Sequence, residues 1–317
     1  MLDIVGKRYW YFALSLIIII PGTISLIASW VQTGSPLKLG TDFTGGTEME
    51  FQIPQANQSA KIAGIMQGVT GNVNFVQSVV GRTDCPTRCR YIARTKETTP
   101  KQNAAIVTQM KKEWPSAKRL TLRSVSGTIA SQLTQQAILA VAAAAIAILL
   151  YISFAFRNAP NPFRFGTAAV IAMLHDVLVV LGIFSILGAL LNVEVDAPFV
   201  TAMMTIIGFS VHDTIVIFDR IRENLARRTG EQFELVVNHS ILQSFVRSIN
   251  TSFTVVLTLL AVFLFTGEAI RFFVLAMLIG IISGTYSSIF NASQILVVWH
   301  NHELSHLLHR DRGAAAA

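Results

Sequence analysis

The segment PFVTAMMTIIGFSVHDTIVIF, residues 198–218, is apolar along most of its length and is long enough to cross a bilayer, which takes about 20 residues. Two polar side chains, His212 and Asp213, lie within it. A carboxylate at that depth costs about 2.5–3.5 kcal/mol on insertion scales, and intramembrane acids usually mark an ion or proton pathway. The segment therefore predicts a membrane-spanning helix that carries a functional site.

Five other apolar runs are also long enough to span a membrane, and 52% of the 317 residues are hydrophobic while 14% are charged. This is the composition of a membrane protein. The six predicted transmembrane helices lie within residues 9–27, 137–156, 163–191, 198–218, 249–265 and 272–298.

Basic residues mark one side of the membrane. They lie before the first run, after the second, after the fourth and in the tail: Lys7, Arg8, Arg157, Arg164, Arg220, Arg222, Arg227, Arg228, Arg310 and Arg312. The loop after the third run is acidic instead, with Glu194 and Asp196. By the positive-inside rule both termini are predicted to be cytoplasmic.

Four parts follow along the chain. Residues 1–30 are the N-terminal tail and first helix, which is too long for a signal-peptide core and is interpreted as an uncleaved anchor. Residues 31–130 form an external, periplasmic domain, residues 131–299 hold helices two to six, and residues 300–317 are a cytoplasmic tail. The external segment has 13 Lys and Arg against 6 Asp and Glu. This excess of basic residues has two equally favoured interpretations. It forms a surface that binds anionic headgroups or an acidic partner, or it is a solvated basic surface.

The external segment is predicted to be an α+β domain of ferredoxin-like type. Strand patterns cover 47–53, 73–80, 90–95 and 119–125, and helix patterns cover 59–69 and 100–114. The order βαββαβ is that of the split βαβ fold.

A glycine-rich stretch precedes the first of these strands. Asp42, Gly45 and Gly46 lie in the sequence GTDFTGGT, residues 40–47, where two glycines permit a sharp turn. A phosphate-binding loop would need a lysine and a following helix, so a structural turn is the favoured interpretation.

Two cysteines, Cys85 and Cys89, lie in the predicted external domain with Pro86 beside the first. A small loop-closing disulfide is favoured over free thiols in an oxidising compartment. Zinc would need more ligands than this segment offers, so no metal is expected there.

Several motifs together resemble the SecF family, the small subunits of the SecD–SecF protein-export complex within the resistance–nodulation–division superfamily. They are DFTGGT at 42–47, His175-Asp176, GFSVHDT at 208–214, FDRIREN at 218–224 and RSINTS at 247–252. The resemblance covers residues 1–299 approximately. The sequence departs from the family pattern at His212, where asparagine is usual, and at 125–127, where Val-Ser-Gly stands in place of Val-Gly-Pro.

The resemblance implies a function. Members of this family promote preprotein export across the bacterial cytoplasmic membrane using the proton-motive force, and they are not enzymes. Their partners are SecD, the SecY/SecE/SecG channel with its export factors, unfolded preproteins and the lipid bilayer, and no nucleic acid or cofactor besides protons is expected. The family's essential acid matches Asp213 and its functional arginine matches Arg247.

The fifth run supports this assignment from the residues themselves. Arg247, Asn250, Thr251 and Thr254 recur at spacings of three and four, so they share one helical face that suits a polar seam. Arg247 and Asp213 are predicted at compatible depths, and an arginine within about 4–6 Å would hold the aspartate ionised. We expect Asp213 to carry the proton and Arg247 to be its charge partner.

Other assignments stay open at this stage. His212 is either a proton relay or a hydrogen-bond donor between helices, and the pair His175-Asp176 likewise is either packing or part of a proton path. A metal site built from His175, Asp176, His212 and Asp213 is disfavoured because nothing fixes their mutual approach. Alternative functions are a half-transporter subunit of a proton-driven resistance–nodulation–division exporter of small molecules or lipids, an intramembrane hydrolase and a passive scaffold.

In the sixth run Gly280, Gly284 and Ser288 repeat every four residues. This predicts a face of small residues for close helix packing.

Overall fold

A computed structural model describes residues 3–73, 75–78, 89–228 and 230–303. The chain forms two compact units: Leu39–Ile138, and the residues before and after that stretch. The helices are α1 (Arg8–Thr33), α2 (Thr41–Thr44), α3 (Ser59–Thr70), α4 (Pro100–Glu113), α5 (Gly127–Ala155), α6 (Pro162–Leu191), α7 (Ala197–Arg227), α8 (Phe233–Phe265), α9 (Glu268–Ser287) and α10 (Ser293–His300). The strands are β1 (Gly46–Ile53), β2 (Phe75–Ser78), β3 (Cys89–Thr95) and β4 (Lys118–Val125).

Six helical segments among the described residues are long and apolar enough to span a membrane, which confirms the six predicted helices. Five of them are α1, α5, α6, α7 and α8, and a 3₁₀ turn at Val5–Lys7 precedes α1. The sixth runs from Ile270 to His300 and joins α9 to α10 through a π-helical turn at Ser288–Ala292. Half or more of the apolar stretch is buried in α6, α7 and the sixth segment, so these three form the interior of the helical unit.

The smaller unit has the predicted ferredoxin-like topology. Its sheet has the strand order β2-β3-β1-β4 with every neighbouring pair antiparallel. Alternate residues of β1 point into a core shared with α3 and α4, made by Met49, Phe51, Ile53, Ile62, Met66, Tyr91, Ile106 and Met110. Helix α4 begins at a capping box in which Thr99 and Gln102 bond reciprocally, which satisfies two amides at the helix start.

The glycine-rich stretch enters β1 with positive backbone angles. Gly45 has φ 71° and Gly46 has φ 113°, and a Cβ at Gly46 would lie 2.5 Å from the Thr95 carbonyl oxygen. Only glycine fits this close approach without strain. Asp42 lies in the short helix α2. Gly45 ends this helix, and its backbone N–H donates a hydrogen bond to the Thr41 carbonyl oxygen. Cys89 is disulfide-bonded, and Cys85, the other cysteine of the chain, lies outside the described residues.

A glycine pair sets the distance between α1 and α6. A Cβ on Gly22 would lie 2.7 Å from the Cα of Gly182, and the converse holds for Gly182. Ser25 and Ser185 form a hydrogen bond of 2.9 Å beside this contact. Small residues let two helix backbones approach closely in a membrane, and here they permit a polar pair between the helices.

The residues that flank the spans form a clamp. Glu303 accepts hydrogen bonds from Arg8 at 2.5 and 3.1 Å, from the Tyr9 hydroxyl at 2.7 Å and from the Asn301 amide at 3.0 Å. Burial alone would raise the pKa of the Glu303 carboxyl, but these hydrogen bonds and the charge of Arg8 hold it below its ordinary value of 4.5. The clamp therefore joins the start of α1 to the end of the sixth segment through an ionised carboxylate.

The glycine contact predicts that Gly182→Leu will separate α1 from α6, since overpacking costs about 1–3 kcal/mol. In a chain carrying Ser25→Cys and Ser185→Cys, oxidative cross-linking should fall when Gly182→Leu is added. Gly208→Leu is the matched control, because a Cβ at Gly208 meets no atom within 4 Å. Equal loss of cross-linking in the two leucine variants would contradict this interpretation.

The clamp predicts a pH dependence. Because the folded pKa of Glu303 is depressed, its contribution to stability is present above pH 4.5 and is lost as the pH falls through the folded pKa. The difference in unfolding midpoint between the natural protein and Glu303→Gln should therefore be largest near neutral pH and shrink below 4.5. Glu231→Gln is the control, and a constant difference for Glu303→Gln across this range would disprove the clamp.

Candidate functional site

A buried carboxylate joins the three interior helices. Asp176 of α6 is 1% exposed. Its Oδ2 accepts hydrogen bonds from the Ser210 hydroxyl of α7 at 2.6 Å and from the Ser287 hydroxyl of α9 at 2.7 Å. Its Oδ1 accepts from the Ser283 hydroxyl of α9 at 2.7 Å and lies 3.0 Å from His175 Nδ1. This carboxylate thus has four polar neighbours on three helices, which we call the Asp176 cage.

Glycines allow α9 to approach the cage. A Cβ at Gly284 would lie 3.1 Å from the Ser210 Cβ and 3.5 Å from Asp176 Oδ2, and a Cβ at Gly280 would overlap Ile206 of α7. The predicted face of small residues on the sixth segment therefore packs against α7. Larger residues there would separate Ser283 and Ser287 from their acceptor.

A second layer of hydroxyls adjoins the cage. The Ser288 hydroxyl donates to the Ser210 carbonyl at 3.1 Å and lies 2.8 Å from the Thr214 hydroxyl. Thr285 donates to Ser252 of α8 at 2.6 Å. Ser288 also begins the π-helical turn, a feature frequent at functional sites.

Asp213 lies one turn beyond Ser210 on α7, and its environment differs from that of Asp176. It is 6% exposed, and its Oδ2 has no hydrogen-bond partner among the described residues. Ser248 of α8 approaches the carboxyl, but the two side chains do not reach hydrogen-bonding geometry. His212, the neighbouring residue, is exposed. Asp213 is therefore a buried acid whose hydrogen-bonding capacity is not filled within this part of the chain.

Arg247 precedes Ser248 on α8 and is exposed. No ion pair between Arg247 and Asp213 occurs in the described structure, so the predicted charge pairing is not formed in this conformation. Arg247 instead lines a pocket of about 400 Å³ between α5, α7 and α8, together with Asp219, Arg220 and Arg222.

The remaining predicted side chains lie on the outer surface of α8. Asn250, Thr251 and Thr254 are exposed, and the two threonine hydroxyls donate to carbonyls of their own helix. The side of α8 that is buried in this chain carries Ser244, Ser248 and Ser252 instead.

His175 shares the cage with Asp176, and its Nε2 is buried with no hydrogen-bond partner in the described structure. The two histidine–aspartate pairs do not come together as a metal site. Within the described residues no group of three or more His, Cys, Asp or Glu side chains is placed to hold a metal ion.

Sequence reasoning missed Ser210, Ser248, Ser283 and Ser287. A signal was present for two of them, because Ser283 and Ser287 are four residues apart in an apolar span and so face the same direction. Serine alone is too common in membrane helices to identify a site, since its hydroxyl can bond to its own backbone.

The fold and the site define a polytopic membrane protein with ionisable groups buried between its helices and a ferredoxin-like domain inserted after the first span. Residues 105–302 match the family "Protein export membrane protein SecD/SecF, C-terminal", and residues 30–53 match the "SecD/SecF GG Motif". The chain belongs to the SecF family of protein translocase subunits.

Similarity to individual relatives extends along the whole chain. The protein translocase subunit SecF of Thermobaculum terrenum is 47% identical, with both chains covered completely. The subunit SecDF of Bacillus subtilis is 32% identical over 95% of this chain and 38% of its own. A crystal structure of SecDF from Thermus thermophilus, a translocon-associated membrane protein, matches with a TM-score of 0.79 and 28% identity, over 95% of this chain and 39% of that one. The chain thus spans about two fifths of the SecDF chains that it matches.

The Asp176 cage predicts that Asp176→Asn will destabilise the helical unit. An amide offers one acceptor oxygen in place of two, so at least one buried hydroxyl loses its partner, and a buried polar group left without a partner costs about 1–3 kcal/mol. Denaturant unfolding of the purified protein should show a loss of this size. Thr205→Ala is the control, since its exposed hydroxyl bonds only to its own helix. Unchanged stability in Asp176→Asn would show that the cage does not hold the interior helices together.

Proposed function

We propose that the protein is an accessory subunit of the Sec translocase that uses the proton-motive force to promote preprotein export across the cytoplasmic membrane. Asp213 carries the proton, and Arg247 is its charge partner in one of two states. The observation that carries this proposal is the buried position of Asp213 together with an Oδ2 that lacks a hydrogen-bond partner within the described chain.

The contrast between the two buried acids supports the choice of Asp213. Asp176 accepts three serine hydroxyls and adjoins His175, so each of its oxygens is occupied. A change in its protonation would disrupt contacts to two other helices. Asp213 can gain or lose a proton without breaking such a network. We assign Asp176 and His175 a structural role.

The cycle needs two conformations of α7 and α8. In one, Asp213 is neutral and separate from Arg247, and the absence of an ion pair between these two described residues is compatible with that state. In the other, Asp213 is ionised and α8 turns or slides so that Arg247, adjacent to Ser248, reaches the carboxylate. An ionised carboxylate in a membrane interior needs such a partner because its unpaired burial is costly.

The proton gradient can drive this exchange. One charge that crosses the membrane potential yields about 2.3 kcal/mol per 100 mV. A two-state change whose states differ by a few kcal/mol responds to a bias of that size. A proton enters from the outside, Asp213 is neutralised and the helices shift. The release of the proton to the cytoplasm restores the pair, and the external domain moves with the helices.

His212 lies beside Asp213 on the surface of α7. It is exposed next to the buried acid, so its imidazole is available to a hydrogen bond from a partner helix or to proton transfer. We favour the hydrogen bond. Asn250, Thr251 and Thr254 on the exposed surface of α8 would line a polar seam against a second subunit.

A SecD-type subunit is the proposed partner. Relatives named SecDF are fused chains of which this chain matches about two fifths, so a second membrane half is expected to complete the assembly. The Sec channel and unfolded preproteins are the further partners that follow from the family's role.

We place the termini in the cytoplasm and residues 31–130 outside on the charge pattern of the loops. The alternative of a small-molecule or lipid exporter is less well supported, because the full-length relatives are translocase subunits.

The mechanism predicts that Asp213→Asn will abolish the part of export that depends on the proton gradient. The test measures preprotein export into membrane vesicles that contain the complete complex, with and without a protonophore. Asp213→Asn should reduce export to the level seen with the protonophore, and further protonophore should have no effect. Glu231→Gln is the control for the loss of an acid outside the spans. Proton-dependent export that persists in Asp213→Asn would disprove the proposal.

A further inference from the structure

The pocket between α5, α7 and α8 is polar enough and large enough to contain water. Its volume is about 400 Å³, and a water molecule takes up about 30 Å³ in the liquid. Its lining includes six polar or charged side chains: Asp219, Arg220, Arg222, Gln243, Ser244 and Arg247. A cavity that offers several polar partners holds ordered water, so we expect this pocket to be hydrated.

The outer rim of the pocket is accessible to solvent. The side chains of Asp219 and Arg222 are 55% and 40% exposed, and both residues follow the apolar run 198–218 of α7. Asp219 pairs with Arg222 at 2.6 Å, and Glu223 pairs with Arg220 at 2.5 Å. These pairs neutralise two of the three guanidinium groups. The rim therefore does not carry a large positive charge that would exclude a proton.

The inner end of the pocket leads towards Asp213 along one face of each of two helices. On α7, Asp213, Val216 and Arg220 are three and four residues apart, so they share a face, and the last two line the pocket. On α8, Ser244 and Ser248 are four residues apart and are 6% and 1% exposed. Ser244 lines the pocket and Ser248 approaches the Asp213 carboxyl. About one helical turn thus separates the pocket from the acid.

Two polar atoms at this inner end lack partners. Asp213 Oδ2 and Ser248 Oγ are both buried, and neither has a hydrogen-bond partner among the described residues. A buried polar group without a partner costs about 1–3 kcal/mol, so alanine at position 248 would serve packing better. A hydroxyl both donates and accepts hydrogen bonds, so it can bond to a protonated or to an ionised carboxyl. Ser248 therefore suits a role in proton transfer at Asp213.

We propose that Ser248 and the hydrated pocket form the route by which the proton of Asp213 leaves the protein. The carboxyl O–H bond breaks as its proton passes to Ser248 Oγ, directly or through one bridging water. The hydroxyl proton of Ser248 passes at the same time to water in the pocket. The serine is restored, so the net change is a carboxylate at Asp213 and a hydronium ion in the pocket. Only the direction of transfer, towards the cytoplasm, rests on the proposed function.

The first test measures the hydration of the pocket by cysteine labelling of the purified full-length protein with a charged, water-soluble methanethiosulfonate. Ser244→Cys should react on the order of tenfold faster than Ser252→Cys, because a thiol reacts according to its access to the aqueous reagent. Ser252 is the matched control, since it lies on the same side of α8, two turns beyond Ser244, and is 5% exposed. Equal rates in the two variants would overturn the proposal.

The second test measures hydrogen–deuterium exchange of the protonated Asp213 carboxyl by infrared spectroscopy, in the complete complex in vesicles at constant pH. Ser248→Ala should slow this exchange by on the order of tenfold or more, because positioned proton donors and acceptors accelerate proton transfer by such factors. Ser248→Thr keeps a hydroxyl and should retain the natural rate. An unchanged rate in Ser248→Ala, or equal slowing in Ser248→Thr, would overturn the proposal.

Thr258→Ala is the control for the loss of a hydroxyl on the same helix, since the exposed Thr258 donates only to the Thr254 carbonyl. The labelling test keeps the proposal falsifiable should Ser248→Ala fail to fold. Both tests are made without export, so they separate this route from the proposed function. Exchange that depends on Ser248, together with proton-dependent export in Asp213→Asn, would support the route and disprove the proposed function.

Discussion

An ionisable side chain buried between membrane helices is costly unless it finds polar partners, and the hydrogen bonds to Asp176 show how this chain meets that constraint. A single carboxylate on α6 accepts hydroxyls from α7 and α9, and glycines on α9 permit the approach. Apolar contacts hold helices together weakly in a membrane, because lipid tails are equally apolar. The buried carboxyl group therefore specifies which helices meet and at what depth.

With the interior helices fixed in this way, the second acid is available for a different task. Asp213 is on α7, one turn from Ser210, so its position depends on the contact that Asp176 makes. It faces Ser248 of the more peripheral helix α8, whose opposite side is exposed. Asp213 therefore lies between the buried helices and a helix that is largely exposed in this chain. In the proposed function, a shift of α8 converts proton transfer into motion, and Arg247 is the charge partner of Asp213.

The sequence predicts the bounds of a membrane helix well where the apolar run and the helix end at the same residues. The run 163–191 is within one residue of α6, Pro162–Leu191. Helix α8 begins at Phe233, far before the predicted run at 249, because hydropathy marks the part in lipid and not the part that is helical. Residues Asn238 to Ser248 are polar enough to interrupt the apolar pattern, yet their backbone continues the helix. The ferredoxin-like order was predictable because each strand and helix has its own period and its own turn residues.

The site was predictable only in part. The burial of Asp213 follows from its place in an apolar run, whereas the saturation of Asp176 depends on serines whose facing direction needs the packed structure. Depth along two helices also does not fix their rotation, so Asp213 and Arg247 could be placed at one level but not in contact. The ion pair between Asp213 and Arg247 belongs to one state of the proposed cycle, and the sequence does not determine which state is populated.

Infrared difference spectroscopy tests the central claim most directly, because a protonated carboxyl in an apolar site has a C=O stretching band distinct from that of a carboxylate. If Asp213 carries the proton, a band should appear and disappear with pH in the complete complex in vesicles, be absent in Asp213→Asn and persist in Glu231→Gln. A carboxyl at Asp213 that stays in one protonation state across the whole pH range of function would contradict it.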